Sequence, residues 1–307
     1  MTPTLLAILA ANQSFDAALQ TTPGVAGIVA RFRAQIIGQA DAERRKKAIA
    51  ALAAALVSYY RDTVQPAAGK IATTNALAIL SNLPRADKPT SAATRKQVLF
   101  EMKMRASDRV KIVRSIIDDK TNTLSNRVES YLLEPGRNIS TKLEQLRELD
   151  AKGVAAQAKY SEELTQIYKG EIEQRPTRPR LDMTGKLTQD VQDGIRQQAR
   201  RAGSEAETAA FIDKGYEQLA WITVNSSQAC PDCRKRQGVV GDTQFWDQLG
   251  RPGSGATVCQ QNCYCLLVPA ETLSGDPSLS AGINSKIKGV LTTEVGAMLL
   301  DEHRPGL

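Results

Sequence analysis

The spacing of apolar positions is helical along most of the chain and changes near the C-terminal end. Residues 1–22 read as a weak helix or an arm. Pro23 suits the first position of the helix that follows, where its missing N–H is not needed. From Gly24 to about Arg61 the sequence is Ala-rich and free of proline. It includes the run Ala48-Ile49-Ala50-Ala51-Leu52-Ala53-Ala54-Ala55-Leu56 and predicts a strong helix that Pro66 ends. A shorter helix is expected from about Ile71 to Leu83. Pro84–Thr90 reads as a loop, and Ser91 as the N-cap of a long helix ending near Leu133. In that helix Val110, Val113, Ile117, Leu124 and Val128 recur at three-, four- and seven-residue steps and share one face. Pro135-Gly136 closes it. A further helix is expected from about Ser140 to Glu173, with Leu143, Leu146, Leu149 and Val154 on one stripe. Long helices with narrow stripes predict an elongated bundle or a coiled-coil-like arm.

Arg175-Pro176-Thr177-Arg178-Pro179-Arg180 reads as an exposed hinge, since two prolines so close cannot continue a helix. Helical character returns over Lys186–Arg201 and Ser204–Tyr216. Leu219-Ala220-Trp221-Ile222-Thr223-Val224 then reads as a strand. The division expected is a helical region over 1–174, a linker over 175–185, a cysteine module over 186–270 and a tail over 271–307. The fold class expected is mainly α: an elongated helical N-terminal region plus a small α+β, zinc-knuckle-like C-terminal module. The tail, with Gly275, Pro277, Gly282, Gly289 and Pro305, reads as an adaptable docking strap.

Composition narrows this picture. The 307 residues suffice for one large or two modest domains, and with 42% apolar but only 5% aromatic residues they favour Ala/Leu/Ile-packed helices. The net charge of +7 is uneven: 33 basic and 25 acidic residues precede Trp221, against 7 and 8 from Trp221 onward. A basic helical region fits contact with a polyanion or with an acidic protein surface, and equally a solvated helical exterior. No segment reaches the roughly 18 apolar residues of a membrane span. The first eleven residues lack the basic start of a signal peptide. An odd number of cysteines argues against a pure disulfide framework, so a soluble protein made in a reducing cytosol is expected.

All five cysteines fall within 36 residues, as Cys230-Pro231-Asp232-Cys233 followed by Cys259-Gln260-Gln261-Asn262-Cys263-Tyr264-Cys265. Two thiolates three positions apart on a tight turn can bind one side of a tetrahedral ion, and a second cluster can bind the other. The segment is rich in Gly, Pro and polar residues, so a metal is its natural staple. Arg234, Lys235 and Arg236 would offset the net charge of −2 on four thiolates around one dication. Phe245 and Trp246 are expected to pack over the site as a small lid. Cys230, Cys233, Cys259, Cys263 and Cys265 are therefore the candidate ligands of one structural zinc ion. The fourth ligand is either Cys263 or Cys265, which alternating strand geometry would send to the same face.

Other chemistries fit less well. A fully thiolate site is closed to water and structural rather than catalytic. His303 is the only histidine, which leaves no Ser-His-Asp or Cys-His apparatus. The zinc-deaminase pattern places its proline before the cysteine pair, whereas Pro231 lies inside it. A redox dithiol belongs between a strand and a helix of a βαβ unit, and the residues after Cys233 read as a poor helix start. Neither phosphate-binding glycine motif is present.

The stretch W-I-T-V-N-S-S-Q-A-C-P-D-C-R-K-R-Q-G, followed by C-Q-Q-N-C-Y-C-L-L-V-P, resembles the tailed-phage head morphogenesis family, the Mu F-like minor head proteins. Trp221, Thr223, Cys230, Pro231, Cys233, Gly238, Asn262, Cys263, Cys265 and Pro269 fall on its pattern, which spans about residues 200–270. The family's histidine before the last cysteine pair is absent, and Cys259 occupies a nearby place; Tyr264 stands where arginine is usual. The resemblance implies a non-enzymatic virion component at the head or head–tail junction, assembled in the host cytoplasm. Such a protein associates with the portal or major capsid protein as part of an oligomeric assembly and aids head assembly, DNA packaging or DNA delivery. The rival expectation is a zinc-ribbon-like nucleic-acid-binding regulator.

Overall fold

The structure is a computed structural model that describes residues 24–81, 83, 86, 89–168, 177, 179, 181, 183–223, 229–254, 256–259, 263 and 265–273. The expected N-terminal arm, most of the 175–180 hinge, His303 and nearly all of the tail lie outside the described residues. The chain is mainly helical with one small sheet, as expected. It forms two compact units, each discontinuous in sequence: a helical unit of residues 24–64 and 108–196, and a cysteine unit of residues 65–107 and 197–273. The linear scheme of consecutive segments does not anticipate this grouping, in which residues 65–107 join the cysteines.

In the helical unit, α1 (Gly24–Ile37) and α2 (Ala42–Tyr59) form a hairpin where the sequence predicts one unbroken helix. The break is built by Asp41, whose side chain accepts the Arg44 backbone N–H at 2.9 Å and starts α2. Arg45, buried, donates to the Gln39 and Ala40 carbonyls at 2.7 Å each and ties the turn down. At the open end of the hairpin, a Cβ on Gly24 would lie 2.2 Å from the Tyr59 ring, so a larger residue there would have to displace that ring. A π turn, Tyr60–Val64, follows α2, and α3 (Gln65–Leu80) begins at once. Pro66 therefore does not stop helical structure. It stands at the second position of α3, where no intrahelical partner awaits its missing N–H.

Two long helices contribute to both units: α4 (Ala92–Leu133), capped by Ser91 as expected, and α6 (Met183–Asp213). The helical unit also holds α5 (Ile139–Tyr168). On α4, Val113, Ile117, Leu124 and Val128 are buried and Val110 half-buried, close to the expected face. On α5 the buried spine is Lys142, Leu146, Asp150 and Gly153, so only Leu146 of the expected leucine stripe is fully enclosed. The polar members are satisfied. Lys142 donates to the Leu132 carbonyl at 3.0 Å. Asp150 accepts from Arg33 Nε, from Thr184 Oγ1, and from the Thr184 backbone N–H at 2.8 Å. Helices α5 and α6 cross where a Cβ on Gly185 would meet the Gly153 carbonyl oxygen at 2.8 Å.

In the cysteine unit, α3 buries a stripe of small residues, Ala68, Ala72 and Ala76, ending in Ile79. Helix α6 runs without the expected interruption near residue 203, because its buried stripe continues from Ala199 through Ala202 and Ala206 to Phe211. Gly215, at φ 97°, then turns the chain into β1 (Leu219–Ile222). Strand β1 is central in an antiparallel sheet, flanked by β2 (Val240–Gly241) and β3 (Leu266–Pro269). All four β1 residues are buried, as a short all-apolar strand covered on both faces requires. The strand predicted to Val224 ends at Ile222, and Val224 lies outside the described residues.

Candidate metal centre

The first cysteine pair opens a short helix, α7 (Pro231–Arg236). Cys230 is its N-cap, with Sγ accepting the Cys233 N–H at 3.5 Å, and Pro231 takes the first helical position. The expectation of a poor helix start after the pair is thus corrected: the helix begins inside the motif. The setting is still not βαβ, because β1 pairs antiparallel with both neighbours. After α7 the chain folds straight back on β1. Gly238 N–H donates to the Trp221 carbonyl at 2.8 Å, Trp221 N–H donates to the Val239 carbonyl at 2.9 Å, and Gln237 Oε1 accepts the Thr223 N–H at 2.5 Å.

The second group arrives through α8 (Thr243–Leu249) and β3. The α8 N-cap is Asp242, whose carboxylate accepts the Phe245 N–H at 2.8 Å. Gly250, at φ 92°, turns the chain out of α8. Beyond it, Asp232 Oδ2 accepts the Val258 N–H at 2.9 Å. This bond runs from inside the first cysteine motif to the residue before Cys259, and so positions one against the other. Pairing of Ile222 with Leu266 sets Cys265 at the mouth of β3.

These elements bring all five sulfurs together, and all five are free thiols. Cys233 Sγ lies 3.4 Å from Cys259 Sγ and 3.6 Å from Cys263 Sγ. Cys230, Cys233 and Cys259 lie within 4.8 Å of one another, and so do Cys233, Cys263 and Cys265. Sulfurs on a tetrahedral ion at about 2.3 Å are separated by about 3.8 Å, so the two short distances suit shared coordination and are far too long for a disulfide. The cluster could hold a metal ion.

The surroundings fit a thiolate centre. Arg236, 2% exposed, holds its guanidinium 5.1 Å from the centroid of the Trp221 ring. It donates to the Gly250 carbonyl at 2.9 Å and to the Ala256 carbonyl at 3.3 Å. Burial lowers its pKa, opposed by the attraction of Asp232 and of Cys233, Cys263 and Cys230. Of the three expected cations, only Arg236 is buried with the thiols; Arg234 and Lys235 are exposed. The Cys263 pKa is pushed down by hydrogen bonds from Cys233, Cys259 and Cys265. Cys233 is raised by its hydrogen bonds with Cys259, Cys263 and Cys265 and by burial. Cys259 is pushed up to about 12, its bond to Cys233 being outweighed by Cys263 and by burial. At Cys230, burial works upward but the Cys233 N–H and its thiol prevail, and the pKa falls.

Trp246 is fully buried, with its indole N–H donating to the Leu219 carbonyl at 2.9 Å, and its ring lies 5.6 Å from that of Trp221 at a 38° tilt. Phe245 meets Trp246 edge-on at 4.9 Å. Both aromatics belong to the apolar cluster that contains the cysteines. Sequence reasoning missed the bond from Asp232 to Val258 and the bond from Gln237 to Thr223. Only the polar residue within C-P-D-C hinted at the first. No described helix is long and apolar enough to cross a membrane. Comparison with known protein families, with curated proteins and with solved structures gives no match in any of the three.

Proposed function

We propose that this chain is a non-enzymatic component of a tailed-phage virion, a minor head or portal-associated protein whose C-terminal module is held by one structural zinc ion. The observation that carries this reading is the order of the tryptophan strand, the C-P-D-C knuckle and the C-Y-C-L-L-V-P strand. In the fold, the first and last of these pair side by side, with Trp221 opposite Leu267, and the knuckle returns its cysteines to the same sulfur cluster. Zinc is the ion of choice for such a set, since tetrahedral all-thiolate sites bind it closed and structurally. The site then acts as a fastener for a docking module, and the basic helices are free to meet the portal or packaged DNA.

The test is particle composition. Tailed particles produced by the strain carrying this gene are purified on a density gradient and analysed by quantitative mass spectrometry. The chain should co-sediment with DNA-filled heads at a few copies for each portal ring. A chain left wholly in the soluble lysate would remove the virion assignment. Salt-resistant, sequence-selective DNA binding by that soluble chain would favour the nucleic-acid-binding regulator instead.

A further inference from the structure

Away from the sulfurs, the cysteine unit carries an uncovered helix face beside a groove. The face belongs to the first turns of α4. Lys96, Leu99, Phe100, Lys103 and Met104 follow the i, i+3, i+4, i+7, i+8 spacing of a core stripe. Here the stripe points outward. Leu99, Phe100 and Met104 are each more than half exposed. Both lysines are exposed and have no ion-pair partner among the described residues. Three large apolar side chains on two turns of one helix exceed the scattered singles of an ordinary surface and mark a contact site.

The other face of the same turns, with Val98, Glu101 and Arg105, is partly buried and forms one wall of a groove of about 450 Å³. Val98 and Ile212 give the groove its apolar lining, and Glu101, Glu217, Asp242 and Asp247 give it four carboxylates. Arg105 is the one cation among its described lining residues. It donates to Asp247 at 2.6 Å and to Glu101 at 3.2 Å. Glu217 is exposed, with no ion-pair partner among the described residues, and Asp242 spends its carboxylate on capping α8. The groove therefore keeps an excess of negative charge around an apolar lining, and the ridge is its opposite, an apolar strip carrying two free cations.

Ridge and groove occupy different faces of one helix, so a chain cannot lay its ridge in its own groove. Ridge against ridge, in a symmetric pair, would bring four lysines together with no carboxylate to answer them. Ridge in the groove of a second copy removes both faults: the lysines meet carboxylates while Phe100 and its neighbours leave water. We infer that this chain associates head to tail with further copies of itself, the Lys96–Met104 ridge of one copy seated in the Glu217 and Asp242 groove of the next. The contact is heterologous, so each added copy presents a new ridge or groove until the series closes into a ring. The inference stands apart from both the zinc and the virion readings.

The experiment is sedimentation velocity on the full, reduced chain in low salt, over a concentration series. The wild type should form species larger than a dimer, and added salt should dissociate them. Leu99→Ser with Phe100→Ser removes the apolar ridge. Glu217→Lys with Asp242→Asn neutralises the groove while asparagine keeps the α8 cap. Each of these variants alone should be monomeric. Mixed, they should stop at a one-to-one dimer, because the pair shares a single intact ridge and a single intact groove. A wild type that stays monomeric would overturn the inference, and flotation of that monomer with phosphatidylglycerol vesicles would give the ridge to a lipid surface. A wild-type dimer that the groove variant leaves intact would overturn it in favour of ridge against ridge. The wild-type measurement decides by itself, so a variant that misfolds leaves the test standing.

Discussion

The two units bury different things. In the helical unit the largest fully enclosed side chains are Ile36, Ile37, Leu52, Leu56, Tyr60, Ile117 and Leu146, spread along four helices and the π turn. In the cysteine unit they include Trp221, Trp246, Arg236 and Phe211, gathered around one short sheet. The first is a distributed core, in which each helix contributes a stripe and many small contacts add up. The second combines few strands, several turns and a sulfur cluster, so its order depends on a handful of groups. Distributed cores lose stability by increments. Concentrated ones lose it at once when the central group is removed.

The sharpest way to test that contrast is to remove the thiol pair. Structural zinc contributes on the order of 10 kcal/mol in small modules, comparable to the roughly 5–15 kcal/mol that keeps a whole domain folded. Cys230→Ser combined with Cys233→Ser, or chelation in reducing buffer, should abolish the near-ultraviolet signal of Trp221 and Trp246. Most far-ultraviolet helix signal should remain. A native near-ultraviolet spectrum after chelation would show that the thiols hold nothing together.

In the helical unit the largest single effect should come from Asp150→Ala. The change leaves the Thr184 groups without their acceptor and Arg33 without its counter-ion. Because Arg33 keeps 32% exposure and can find water, the loss should be about 3 kcal/mol, the low end for a broken buried pair. Denaturant unfolding read by helix signal measures it, and a loss below experimental error would contradict the network. Gly185→Ala should cost less, about 1–3 kcal/mol, since a single methyl meets the Gly153 carbonyl and the crossing must widen. An unchanged midpoint would mean that α5 and α6 separate freely there.

The smallest effect is a slope. Glu207, on α6 in the cysteine unit, has its carboxyl pKa raised from 4.5 to about 8 by removal from water. Its side chain keeps partial exposure, which tempers the size of the effect but not its sign. The folded state prefers the protonated acid, so its contribution is fully retained below pH 4.5 and declines as pH rises toward 8. Glu207→Gln should flatten that decline when unfolding midpoints are compared at pH 5 and 8, pH values chosen inside and at the top of the window. Parallel pH profiles for the two proteins would show that this carboxyl stays solvated.

Much of this architecture is legible in residue spacing. Ser91 and Pro135-Gly136 bound α4 because capping and helix-stopping chemistry act within a few residues. Trp221 announces β1, and the cysteine spacing announces a cluster. The α1–α2 turn is harder to see, since Gly38-Gln39-Ala40-Asp41 carries only one strong signal, the Asp41 cap, inside a run of good helix formers. The buried spine of α5 is harder still. Nothing local marks Lys142 and Asp150 as interior; a carbonyl from α4, and the arginine and threonine that meet Asp150, make burial tolerable. Which sulfurs meet depends on how β1 and β3 pair across more than forty residues of intervening chain, and no periodicity encodes that distance.

The central place of β1 has a temporal corollary. During synthesis the C-P-D-C turn leaves the ribosome well ahead of the third, fourth and fifth sulfurs, which come into position only as the last strand zips onto the first. A nascent chain stopped before Cys259 owns two thiols out of five and has no closed cage to offer. On the proposed zinc reading, metal retention would separate finished copies from prematurely terminated ones.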